Sequence, residues 1–247
     1  MEASDSYKIQ VLPEFCMKIY EKERAVFSYV FMKILERRPR SYDRLMDKSS
    51  RGRVKALKKA VIEELAEAQR VLDIGSGTGE LAVMLAVRGV SVEGFDINPA
   101  MVAAARERIK ADNLSDYVSV RRMGVDGMDG LPASHYDAVV AVLVFSELSD
   151  DERHFAFQHA ARILKSQGVI VIADEVVPCT KIKRGLHSVL RVPMKMVTYL
   201  VSRASTHPLV DLTAELSAAG FAVDKEIRSH GDSFAMVVGR LETADKT

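Results

Sequence analysis

The chain has 247 residues, 48% apolar and 28% charged, which suits a globular protein with one large domain or a domain with an appendage. A net charge of +1 gives no global electrostatic case for nucleic acid, and two cysteines, Cys16 and Cys179, are too few and too far apart for a disulfide framework or a zinc site. The opening MEASDSYKIQ lacks the basic-then-apolar profile of a leader, and no stretch approaches a spanning length of apolar residues, so the expectation is a soluble, cytoplasmic protein without a metal site.

In chain order, residues 14–37 carry apolar residues at helical spacing (Phe27, Val30, Phe31, Ile34, Leu35), and Pro39 is expected to end that helix. Residues 40–52, RSYDRLMDKSSRG, read as a loop or a short helical turn. A second amphipathic helix presents Val54, Leu57, Val61 and Leu65 on one face. From residue 70 the rhythm alternates between strand and helix. Strands are expected at 70–74, 90–96, 118–122, 136–145 and 168–174, with helices at 80–88 and 99–110 between the first three. Asn98 offers an N-cap with Pro99 at the first helical position, and Ser149 with Glu152 forms a capping box for a helix running to Leu164. A helix at 209–219 stopped by Gly220 and a hairpin of strands at 221–228 and 233–240 follow. The expected architecture is α/β: a Rossmann-like, seven-stranded, mostly parallel sheet with helices on both faces and the last strand antiparallel. Residues 1–68 form a helical N-terminal cap, and residues 69–247 form the main domain with a lid insertion at 177–206.

The chemistry concentrates in VLDIGSGTGE, residues 71–80. A phosphate-binding loop of the G-x-x-x-x-G-K type needs a lysine after the last glycine, and none follows Gly79. A dinucleotide loop needs a glycine three positions after Gly77, where Glu80 stands instead. Glu80 would also set a negative charge where a pyrophosphate should sit, at a helix N-terminus. The loop therefore suits a ligand without phosphate and with positive charge, such as S-adenosylmethionine. Asp73 can face its cationic amino-acid end, while Gly75, Gly77 and Gly79 let the backbone pass beneath it. Asp96, at the end of the second strand, can accept both ribose hydroxyls, and Asp126, after the third, can accept from the adenine amino group.

These motifs resemble the class I S-adenosylmethionine-dependent methyltransferases. VLDIGSGTGELA matches the first motif, VEGFDINPAMVAAA the second and MGVDGMDGLP the third; YDAVVAVLVFSEL and RILKSQGVIVIADE resemble the fourth and fifth strands. Lys165-Ser166-Gln167-Gly168 departs from the usual Lys-Pro-Gly-Gly. The resemblance implies that Asp73, Gly75, Ser76, Gly77 and Gly79 line the methionine part and that Asp96 holds the ribose. It further implies that Ile97 and Met101 pack on adenine, that Asp126 and Gly127 meet its edge, and that Val144 lines the site. The cofactor would be S-adenosylmethionine and the product S-adenosylhomocysteine.

Methyl transfer requires positioning more than side-chain chemistry, and a base only where the acceptor must lose a proton. Specificity then falls to the segments outside the core. Residues 33–59 hold eleven Lys/Arg against three acids, and 178–203 hold six and no acid. The insertion at 177–208 could be a lid over an apolar substrate, a membrane-surface segment at 181–203, or a face for an acidic protein; a helix packed on the core explains it equally. Tyr42-Asp43 and the Thr206-His207-Pro208 stretch resemble the quinone-methylating branch and, closer still, methyltransferases associated with corrinoid proteins. Tyr42 is on that resemblance a lid residue. His207, Tyr42 and Tyr199 are the candidates for catalysis, with His187, Glu147 and Glu175 behind them. The expected acceptor is a small or lipophilic molecule or a protein-bound cofactor. A non-catalytic cofactor-binding accessory protein is the alternative, and nucleic-acid modification is disfavoured because VFSE stands at 144–147 where an N-P-P-Y-like motif would be.

Overall fold

The computed structural model describes residues 39–50, 52–176, 209, 211–228 and 234–242. Among them the order is α1 (Pro39–Ser49), α2 (Arg53–Glu64), β1 (Arg70–Ile74), α3 (Glu80–Ala86), β2 (Ser91–Asp96), α4 (Pro99–Ala111), β3 (Val118–Arg122) and a 3-10 segment (Val125–Gly130). Then follow β4 (Tyr136–Val142), a 3-10 turn (Phe145–Glu147), α5 (Asp150–Ile163), β5 (Leu164–Glu175), α6 (Leu212–Ala218), β6 (Phe221–Arg228) and β7 (Phe234–Leu241). The seven strands form one sheet in the order β3-β2-β1-β4-β5-β7-β6. The pairings β3·β2, β2·β1, β1·β4 and β4·β5 are parallel; β7 runs antiparallel to both β5 and β6.

Strand periodicity sorts the core into two layers. Leu72, Ile74, Val139, Ala141, Ile170 and Ile172 point to one face, where α5, α6 and the 3-10 segment cover them. Val71, Val92, Ala138, Val140, Val171 and Ala173 point to the other, beneath α2, α3 and α4. The central strands β1 and β4 are therefore apolar on both faces, as a sheet covered on both sides requires, while the outer strands β3 and β6 expose much of theirs. Val61, Ile62 and Leu65 are buried in that second layer, and α2 packs against β5 and β7. This part of the expected N-terminal cap is thus one of the helices that cover the sheet.

Several expected boundaries move. Residues 40–49, expected as a loop or a short helical turn, belong to a full helix, with Pro39 as its first described residue. The fixed φ and missing N–H of Pro39 are tolerated in a first helical turn. β4 ends at Val142 and not at Phe145, because Leu143 takes a left-handed conformation (φ 60°) that turns the chain out of the sheet. β5 begins at Leu164 without an intervening loop, and α6 is shorter than expected, capped by Asp211. The Asn98 cap with Pro99 and the Ser149–Glu152 capping box form as their spacing demands. The expected helix at 14–37, the insertion at 177–206, and His187, Tyr199 and His207 lie outside the described residues. No helix among the described residues is long and apolar enough to cross a membrane.

Candidate active site

From β1 the chain builds outward through β2 to β3, then returns to place β4 on the other side of β1. At such a reversal the loops leaving neighbouring strands diverge and open a crevice at their C-terminal ends. A cavity of about 1180 Å³ lies there, with Asp73, Asp96, Asp126 and Val144 all on its wall. That exceeds the ~300–1000 Å³ of a site for one small ligand, which leaves room for a second reactant. Helices α1 and α2 contribute Tyr42, Asp43, Met46, Val54 and Lys58 to the same wall.

The glycine loop owes its shape to close approach. Gly75 has φ 66°, and a β-carbon there would lie 2.3 Å from Val144 Cγ2, so Val144 seats directly on the backbone. Gly79 has φ 71° and faces Ala105, which a β-carbon would meet at 3.1 Å, so the loop sits close on α4 without a glycine at position 80. The amides of the loop are committed inward. Ser76 N–H donates to the Phe95 carbonyl (2.9 Å), Gly79 N–H to the Ser76 carbonyl (2.9 Å) and Gly77 N–H to Asp96 Oδ2 (2.9 Å). Asp96 Oδ1 accepts from Asn98 N–H at 2.8 Å. These contacts fix the Asp96 carboxylate in place, and an ionised carboxylate has further lone-pair sites for hydroxyl donors. A loop that spends its amides this way is a poor cradle for pyrophosphate, which needs them pointing at the ligand.

Asp73 is 2% exposed, and its Oδ2 has no hydrogen-bond partner. Burial raises its pKa from 3.8 to about 7, with the nearby Asp96 charge adding to the rise and the Lys58 ammonium opposing it. A buried, unpartnered carboxylate oxygen is costly unless a donor or cation arrives to meet it. The residues present therefore fit an ammonium-bearing cofactor. Beside it stands a network of ion pairs that ties four helices together. Asp43 of α1 accepts from Arg108 of α4 (2.5 Å) and from the Thr78 hydroxyl (2.7 Å). Lys58 of α2 is bonded to Glu80 of α3 and lies 3.8 Å from Asp43. Glu80, whose charge argued against a phosphate, is thus the partner of a lysine.

Other parts of the wall are apolar. Met46 and Val54 pack together with Tyr42, Leu45 and Leu143, and Leu148 and Phe155 enter from the segment after β4. Of the residues singled out in the sequence, Asp73, Gly75, Ser76, Gly77, Asp96, Ile97, Met101, Asp126, Val144, Tyr42 and Glu147 share this cavity. Gly79 and Gly127 are not on its wall. Gly127 lies under the Met123 side chain, and Met123 borders the cavity in its place. Asp126 is exposed and folds back over Gly124, whose absent β-carbon leaves it room. Ile97 is 69% exposed, the conspicuous apolar side chain on the β2 side of the opening. Lys58, Thr78, Arg108 and Met123 carried no signal in the sequence; only their placement reveals them. No group of three His, Cys, Asp or Glu among the described residues is arranged to hold a metal ion.

Residues 71–168 match the methyltransferase domain family. A demethylmenaquinone methyltransferase of Thermus thermophilus is 32% identical over 182 residues, which cover 66% of this chain and 79% of the relative. The chain belongs to the class I S-adenosylmethionine-dependent methyltransferases. A phosphatidylethanolamine N-methyltransferase of Cereibacter sphaeroides is 33% identical over 109 residues, 44% of this chain; the match spans about half, 52%, of that relative's length. Among solved structures, an O-methyltransferase family protein from Burkholderia thailandensis superposes with a TM-score of 0.64 at 20% identity, covering 84% of this chain and 60% of that one. It shares the fold. The protein is a methyltransferase whose cofactor is S-adenosylmethionine.

Proposed function

We propose that this methyltransferase acts on a small lipophilic acceptor, with a reduced demethylated quinone as the favoured class. The observation that carries this reading is the apolar stretch of the wall, Met46, Val54, Leu143, Leu148 and Phe155, within one cavity that also holds Asp73 and Asp96. The 182-residue similarity to a demethylmenaquinone methyltransferase supports the same choice. When bound, S-adenosylmethionine supplies an electrophilic methyl group on a sulfonium. Asp73 meets its ammonium, Asp96 its ribose hydroxyls, and Ile97 and Met101 flank its adenine. The apolar wall keeps water away and holds the acceptor's nucleophilic atom in line with the methyl group. Such positioning supplies about 7–11 kcal/mol of a displacement barrier. A quinol must lose a proton as its ring is methylated, and Glu147 and Tyr42, which both line the cavity, are the groups we assign to accept or relay it.

The test is turnover by the purified protein of S-adenosylmethionine with a short-chain reduced demethylnaphthoquinone, phosphatidylethanolamine in detergent, and a water-soluble primary amine. S-adenosylhomocysteine formation is followed together with the mass gain of one methylene on the acceptor. Methylation of the quinol is the expected result. Turnover confined to either amine would overturn the reading.

A further inference from the structure

The amino-acid end of the cofactor is a zwitterion, and its ammonium accounts for half of it. The carboxylate needs a donor of its own. Three of the five amides in residues 75–79 are bonded within the loop and its neighbours, those of Ser76, Gly77 and Gly79. A side chain must therefore carry much of the recognition. Four cations border the cavity among the described residues: Arg44, Lys55, Lys58 and Arg108. Arg44 and Lys55 are exposed. Arg108 is committed to Asp43 at 2.5 Å and to the Thr78 hydroxyl at 3.2 Å. Lys58 remains. Its side chain is only 14% exposed, and its charge is felt at Asp73 strongly enough to oppose the effect of burial there.

We propose that Lys58 receives the α-carboxylate of S-adenosylmethionine, so that α2, which lies outside the matched methyltransferase domain, forms part of the cofactor site. Asp73 and Lys58 present opposite charges on one stretch of wall, the complement of an α-amino acid zwitterion. A ligand with only an ammonium or only a carboxylate satisfies one of them. Without ligand, Lys58 is held by Glu80 and lies near Asp43, which keeps the ammonium at the cavity edge and spares it full desolvation. Asp43 retains Arg108 and Thr78 when Lys58 turns to a new carboxylate, so α1 stays fastened. The placement of Lys58 follows from the core: Leu57, Val61 and Leu65 bury one face of α2, which sets Lys58 on the flank toward the loop.

The test compares two ligands, resting on the cofactor assignment and not on the acceptor. S-adenosylhomocysteine carries both charges, and its decarboxylated analogue S-adenosyl-3-thiopropylamine lacks the carboxylate. Dissociation constants are measured by calorimetry for the wild type, Lys58→Met and Lys58→Arg. Lys58→Met should weaken S-adenosylhomocysteine by about ten- to a hundredfold, the loss of one charge-assisted hydrogen bond, and leave the analogue within about twofold. Lys58→Arg should restore most of the difference. The wild type should itself prefer S-adenosylhomocysteine over the analogue by the factor that Lys58→Met loses, a comparison that needs no variant to fold. Equal weakening of both ligands, or an unchanged S-adenosylhomocysteine constant in a folded Lys58→Met protein, would overturn the proposal. A wild type that binds neither ligand would overturn the cofactor assignment beneath it.

Discussion

Replacing Asp73 with asparagine should make the ligand-free protein more stable at alkaline pH while abolishing cofactor binding. The folded protein holds this carboxyl at about 7, against an ordinary value of 3.8. The native state therefore binds the proton more tightly than the unfolded chain does. The stability this confers is present at low pH and is lost as pH rises through about 7. Full ionisation costs the fold about 4 kcal/mol relative to an unperturbed carboxyl. Between about pH 5 and about pH 8 the wild type should lose about 2–3 kcal/mol that Asp73→Asn keeps, since an amide does not titrate. Urea unfolding of both proteins at several pH values measures this directly. At about pH 8 the variant should be the more stable, with no thermal shift on adding S-adenosylhomocysteine. A difference between the two proteins that does not change with pH, or a wild type that gains on the variant as pH rises, would refute the reasoning. The carboxylate is then a functional group kept at a standing cost to stability.

Three further changes test the site and its supports. Asp96→Ala removes the acceptor for Gly77 and Asn98 amides as well as the ribose contact, and should weaken S-adenosylhomocysteine at least about tenfold by calorimetry, with Asp96→Asn intermediate. Gly75→Ala combines a positive φ with a clash on Val144 and should cost about 2–4 kcal/mol in urea unfolding; adding Val144→Ala should recover the clash portion but not the backbone portion. Arg153 is 6% exposed and joins α5 to α6 by donating to Glu215 (2.9 Å), to Asp150 (2.6 Å) and to the Leu148 carbonyl (3.0 Å). Arg153→Ala leaves partly solvated acceptors and removes the link between the helices, and should destabilise the protein by about 1–3 kcal/mol, with little change in ligand affinity.

What was legible in the sequence is what local chemistry decides. Apolar runs flanked by caps and glycines marked the strands and helices of 70–174, and the spacing of Asp73, Asp96 and Asp126 placed them at neighbouring strand ends. Helix α1 was not legible because its sequence, PRSYDRLMDKS, is mostly polar and opens with proline. Its stability comes from contacts distant in sequence, Asp43 with Arg108 and Thr78, and Met46 with Val54. The end of β4 was hidden for a different reason. Leu143, Val144 and Phe145 continue the apolar run of β4, and nothing in them announces that Leu143 takes the left-handed region. Lys58 looked like one more charge in a basic run; only the packing of α2 on the sheet turns it toward Glu80 and Asp73. Gly127, read as an adenine contact, is covered by the unbranched, adaptable Met123, a packing choice that no spacing rule encodes.

The order of strands also bears on how the chain is made. β6 touches the sheet only through β7, and β7 is the later of the two to leave the ribosome. Until residues 234–241 are made, the margin of β5 that β7 covers in the finished sheet lacks that partner. That open margin is the kind that recruits foreign strands during synthesis. Residues 234–241 both cover that margin and give β6 its partner strand. Substitutions that slow β7 pairing, at Val237 or Val238 for example, would therefore reduce soluble yield by more than their effect on the finished protein's stability.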